Sequence, residues 1–220
     1  MTSPINGKVR QRMTAPRAAG VAGIIFAVLL GTSIAIMRSA LDLHVDASSR
    51  WTGSEADQVS FALALMPYAG IAFLWFIGVV RDQFGDLEDK LFATVFLGSG
   101  LVFIAMVFVS SAVAGGILAA SRMDNPATAV VNAFATAEMV EVSNVFALRM
   151  AGVFMLSLGT MWLRSGLMKR WLVLLTYGLA LALLLMVNFA SWVPLIFPAW
   201  TLLISVIILF QKPRPAEPGD

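Results

Sequence analysis

Apolar residues in this chain run in six long blocks, and most charged residues fall in the gaps between them. The blocks cover about 18–37, 59–80, 91–120, 142–163, 171–188 and 192–210. A helix rises about 1.5 Å per residue, so about 20 apolar residues cross a hydrocarbon core of about 30 Å. The pattern predicts an all-α, polytopic membrane protein built as a six-helix transmembrane bundle.

Local signals refine the elements. Ser54 and Asp57 form a capping-box-like start for the second helix. Pro67 removes a backbone donor inside that helix and predicts a kink over 62–67. The third block stays uncharged from 91 to 120, longer than a straight crossing needs, so it either tilts or projects past the membrane near Gly115 and Gly116. Asn125 and Pro126 suit the N-cap and first position of a helix. The segment that follows, as far as Glu141, either lies in the interface or runs straight into the fourth block. The uncharged stretch 171–210 is too long for one crossing, and its break at 188–194 makes a hairpin of the fifth and sixth spans. Ala112 and Gly116 have the small-residue spacing that allows close helix packing.

Composition agrees with this pattern. The chain is 59% hydrophobic and 13% charged, with a mean hydropathy of +0.85, whereas a soluble domain is about half apolar and about a quarter charged. One transmembrane domain, 18–211, lies between a basic tail at 1–17 and a proline-rich tail at 212–220. The gaps are too short for a separate soluble domain. The first tail is expected to lie unfolded along an anionic membrane surface, and the first block reads as a retained span rather than a signal peptide.

Charge gives an orientation. With both termini cytoplasmic, the inner segments hold eleven basic residues and the outer ones four: Arg38, Arg50, Arg122 and Arg149. That bias follows the positive-inside rule and places the chain in a cytoplasmic membrane as a multi-pass protein. Trp51 and Trp192 are expected at the outer interface, Trp162 and Trp171 at the inner one. Basic residues spread over short loops suit topology rather than nucleic acid.

Little remains for chemistry. There is no cysteine, and the single histidine, His44, lies in a loop with Asp42 and Asp46, a poor metal set without a second imidazole. No span contains a histidine, so haem and quinone sites are disfavoured and no cofactor is implied. No metalloprotease, serine-hydrolase or phosphate-loop motif is present, which argues against an enzyme.

Arg149 is the one charge placed within an apolar block. With Arg164 anchored inside, it sits about 21 Å up the helix, short of the outer boundary. A charge at that depth is a candidate substrate- or ion-binding residue. Glu138, Glu141, Val145 and Arg149 follow 3, 4, 4 spacing and share a face if one helix runs through. The structural alternative is an arginine that snorkels or is paired.

Two short resemblances add expectations. The stretch from Gly78 to Asp86, with Asp82 and Gly85, partly resembles the loop between spans 2 and 3 of the major facilitator superfamily, although Gln83 stands where that family has a base. The resemblance implies that Asp82 braces neighbouring helix ends. Arg164-Ser165-Gly166-Leu167 ahead of Arg170-Trp171 resembles a turn in a bacterial multi-span family of unknown function, which implies a bacterial origin and no activity.

The expected role is a non-catalytic accessory or scaffold protein that packs against other helices in the lipid bilayer, with itself as a homo-oligomer or with other membrane subunits. The alternative is a small-solute or ion transporter working as a homo-oligomer, with Arg149 near its site.

Overall fold

The computed structural model describes residues 5–42, 51, 53–84, 90–122, 128–186 and 192–210, and it is helical throughout. Helices α1 (Ile5–Asp42), α2 (Ser54–Phe84) and α3 (Lys90–Ser121) come first. Next come α4 (Thr128–Glu141), a π turn (Val142–Ala147) and α5 (Leu148–Ser165), which follow one another without a break. Helix α6 (Arg170–Leu185) precedes a 3₁₀ turn (Val193–Leu195) that leads into α7 (Ile196–Phe210).

Five of these helical stretches are long and apolar enough to cross a membrane, and α6 is a shorter apolar helix. Its 16 residues span about 24 Å. The segment after the third block therefore joins the fourth as one rod. Residues 123–127, including Asn125 and Pro126, and residues 43–50, including His44 and Asp46, lie outside the described part.

The chain departs from the sequence reading at the N-terminus, where α1 already begins at Ile5 within the stretch expected to be an unfolded tail. Propagating a helix costs far less than nucleating one, and Arg10, Gln11, Arg12 and Ala15 are adequate formers that extend the span backwards. Helix α2 passes through Pro67 without interruption. One residue before the Leu63 carbonyl, whose amide partner Pro67 lacks, buried Ser33 of α1 donates to the Ala62 carbonyl at 2.8 Å.

The main core is aromatic. Phe26, Phe73, Phe103, Phe154 and Phe197 meet ring to ring at the centre, with centroid separations from 4.5 to 6.5 Å. Trp200 stacks on Phe197 and touches Trp162. Trp162 is thus buried among the helices, because it continues the inward stripe of Ala151, Met155 and Leu158 on α5. Trp171 and Trp192 are exposed, as an interfacial residue would be. Thr176 links α6 to α7 by accepting from Trp200 Nε1 at 3.0 Å while it donates to the Leu172 carbonyl at 2.9 Å.

Helices α1 and α7 approach closely. A Cβ on Gly23 would collide with the Ser205 hydroxyl and the Phe76 ring, which would have to move to admit it. Gly116, by contrast, has open space beside it, so the close packing expected from the Ala112–Gly116 pair is met at Gly23 instead. Gly166 closes α5 in the left-handed conformation at φ 64°, with its N–H on the Trp162 carbonyl at 3.0 Å. That cap explains the Arg164-to-Leu167 turn. The Arg164 guanidinium lies 4.6 Å over the Phe92 ring, which places the end of α5 beside the start of α3.

A second, smaller hydrophobic cluster lies where α1 ends, α2 begins, α3 ends and α4 runs. It contains Ala40, Trp51, Val59, Ile117, Leu118 and Met139, with no member from α5, α6 or α7. Trp51 is buried in it. Helices of 31 and 32 residues reach about 46–48 Å, about 16–18 Å more than the hydrocarbon core. The longer helices thus build an extension beyond the aromatic core.

Candidate functional site

A polar layer separates the two cores. It is built at the π turn, where Leu148 N–H bonds the Ser143 carbonyl five residues back instead of four. The wider turn projects Ser143 and Asn144 towards α1 and α3. Arg38, one turn before the end of α1, donates from Nη2 to Asn144 Oδ1 at 3.0 Å across 106 residues of sequence. A guanidinium has donors only, so the oxygen of the Asn144 amide must face it and the NH₂ is turned away. Ser110 on α3 donates to the Met139 carbonyl at 3.0 Å and ties α3 to α4, while Ser111 donates to its own helix at Val107 at 2.8 Å.

Two adjoining cavities open in this layer. One, of about 70 Å³, is lined by Arg38, Asn144, Ser143, Ser110 and Ser111 together with apolar side chains such as Met37 and Met66. The other, of about 50 Å³, shares Ser110, Ser111, Ser143, Met66 and Pro194 with the first and reaches Phe103 and Phe197 of the aromatic core. The site is a polar mouth above an apolar floor. Among the described residues no group of three or more metal-ligating side chains comes together.

The sequence-expected site residues stand elsewhere. Glu138 and Glu141 are exposed on α4. Arg149 is half-buried and turns back along its own helix, donating from Nη1 to the Val145 carbonyl at 3.1 Å. None of the three lines either cavity. The 3, 4, 4 spacing assumed an uninterrupted α-helix, and the π turn between Glu141 and Arg149 rotates the two out of register. Asp82 is exposed in the last turn of α2, and Gly85 lies outside the described residues.

Arg38, Asn144 and the serines escaped the sequence reading because each is ordinary alone. Arg38 reads as a loop-flanking charge, and Ser143-Asn144 as polar residues near the end of a block. The available signal was an amide next to a serine inside the fourth block, facing a Ser110-Ser111 pair inside the third.

In the extension, Asn132 is 2% exposed, and neither of its amide atoms has a hydrogen-bond partner among the described residues. On either side of it along α4, Val130, Val131 and Phe134 are 76%, 58% and 73% exposed. Comparison of the chain with family models, curated proteins and solved structures gives no match.

Proposed function

We propose that this chain is a non-catalytic accessory or scaffold protein of a bacterial cytoplasmic membrane. In this reading it crosses six times, keeps both termini inside and offers α4 outside as a docking face for another membrane subunit. The observation that carries the proposal is the exposed strip of Val130, Val131 and Phe134 on α4. From Arg164 to Asn144 the rod already covers about 30 Å, the full hydrocarbon thickness. Apolar side chains further along are therefore beyond the lipid tails, where burial against a partner stabilises them. The orientation is supported by Arg164 beside Phe92, which gathers the basic helix ends at the opposite face. The ring-to-ring filling of the central core by Phe26, Phe73, Phe103, Phe154 and Phe197 suits a packing role better than a conduit.

A photo-crosslinking residue at Phe134 should trap one discrete membrane protein in intact cells, whereas the same residue at exposed Leu174 on α6 should trap lipid. Lipid adducts at both positions would refute the docking reading. A transporter is the second reading, favoured by the cavity at Arg38 rather than by Arg149. Solute flux through proteoliposomes holding the purified chain alone would establish it at the expense of the scaffold.

A further inference from the structure

The polar layer holds hydrogen-bonding groups that docking through α4 does not use. Ser143 of the π turn lines both cavities, and its hydroxyl has no hydrogen-bond partner among the described residues. Asn144 lines the outer cavity and gives only its oxygen to Arg38, so its NH₂ is a second open donor. Single π turns inside α-helices frequently mark functional sites. Here the turn sets two open polar groups on the wall of a cavity whose far end is aromatic. Three features narrow the ligand.

The first is neutrality. Arg38 already bonds Asn144 Oδ1 and has a further partner, and no other titratable side chain lines either cavity. A charged ligand would therefore enter without a counter-charge, at far greater cost than a neutral one. The second is hydrogen-bond chemistry. The Asn144 NH₂ donates, and the Ser143 hydroxyl donates or accepts. Ser110 and Ser111 spend their protons on the Met139 and Val107 carbonyls, so towards a ligand they can only accept. A single alcohol oxygen answers both kinds of group, whereas a ketone or ether would leave the acceptors unused. The third is the apolar floor and its size. Phe103 and Phe197 end the inner cavity and Met66 flanks both, so the body behind the hydroxyl is hydrocarbon. One water needs about 10–15 Å³ of this kind of volume, so cavities of about 70 and 50 Å³ together hold roughly eight to twelve water-sized groups. That is the heavy-atom count of an alcohol of about seven to eleven carbons.

We infer that the paired cavities at the π turn are a binding site for a neutral medium-chain alcohol. Its hydroxyl accepts from the Asn144 NH₂ and donates to the Ser143 oxygen, and its tail runs past Met66 towards Phe103 and Phe197. The guanidinium of Arg38 keeps its own partners and holds the Asn144 amide in place, with the NH₂ turned away from it. This site goes beyond the docking role and is measured on the isolated chain, so its failure and the failure of docking are separate results.

The test is photolabelling of the full chain in zwitterionic nanodiscs with 1-octanol that carries a diazirine near the end of its tail, the adducts being placed by mass spectrometry. Adducts at Met66 or Phe103 should saturate with probe concentration, whereas those at exposed Leu174 on α6 should rise without limit as the probe dissolves in lipid. Plain 1-octanol should suppress the saturable adducts. Octanoate and octylammonium, with the same tail and a charge, and octane, with no hydroxyl, should not. Ser143→Ala should raise the 1-octanol needed for suppression about fivefold, the scale of one lost hydrogen bond. If Ser143→Ala does not fold, Ser111→Leu fills the cavities without altering charge and should abolish the saturable adducts. Labelling at Met66 and Phe103 that never saturates, or that persists unchanged in a folded site variant, would overturn the proposal. Equal suppression by octanoate or octylammonium would overturn it by removing the demand for neutrality. Equal suppression by octane would overturn it too, because it would mark a hydrocarbon slot with no use for the polar wall.

Discussion

The two cores differ in how they are closed. The aromatic core draws on every helix except α4 and places Phe73, Phe96, Phe154 and Ala180 at zero exposure. The smaller core uses the ends of α1 to α3 with α4 and Trp51. It leaves Asn132 buried without a hydrogen-bond partner among the described residues, and it leaves three large apolar side chains of α4 on the outside. A bundle within lipid needs only mutual fit, since its outer face is already in an apolar solvent. In the proposed topology the second region lies beyond lipid and meets water, so an apolar strip there is unfinished until something covers it. On the proposed docking reading, the first region supplies stability and the second supplies interaction.

The largest effect that could break this contrast comes from the aromatic centre. Phe73→Ala removes a ring that meets Phe26, Phe76, Phe103, Phe154 and Phe197. It should cost about 3 kcal/mol in a denaturant titration in detergent. Phe134→Ala should change the same midpoint by less than about 0.5 kcal/mol. Equal losses would mean that α4 is as integral to the fold as α2. Next in size, Gly23→Leu drives a side chain into Ser205 and Phe76 and should destabilise by about 2 kcal/mol. Thermal unfolding would reveal this, while the corresponding change at Gly116, where space is open, should be nearly silent.

Thr176→Val sharpens the contrast within the main core. It leaves Trp200 Nε1 without its acceptor and should cost about 1 kcal/mol, the scale of a buried hydrogen bond between membrane helices. Arg149→Gln is the smallest change. Its bond to Val145 is local to one helix, so stability should fall by about 0.5 kcal/mol or less in the same denaturant titration. A loss as large as that of Thr176→Val would mean that Arg149 holds more than its own helix turn.

Helix positions were legible because lipid leaves one strong rule, a run of apolar residues long enough to cross. Residues 54–84 and 90–121 could be read almost to their ends. The facing of each residue was less legible, because a helix that is apolar all round carries no stripe to orient it. Trp162 shows this. Its place near the end of a block suggested an interface, and only the packing of α5 against Trp200 turns it inward. The site was illegible for a further reason. Arg38 and Asn144 are 106 residues apart, and the π turn that aims Asn144 is a change in local winding that no polar pattern announces.

The central claim is that the aromatic middle is dry and the layer at the π turn is reached by water. The chain has no cysteine, so single-cysteine variants report one position each without background. The direct measurement is the labelling rate of Ser143→Cys and Ser111→Cys against Ser205→Cys and Thr201→Cys, using a charged, membrane-impermeant maleimide on the protein in nanodiscs. A thiolate must meet water to react. Rapid labelling at 143 and 111, with 205 and 201 silent until the protein is unfolded, is the predicted result. Comparable labelling at all four positions would contradict the account, because it would put water through the middle of the bundle.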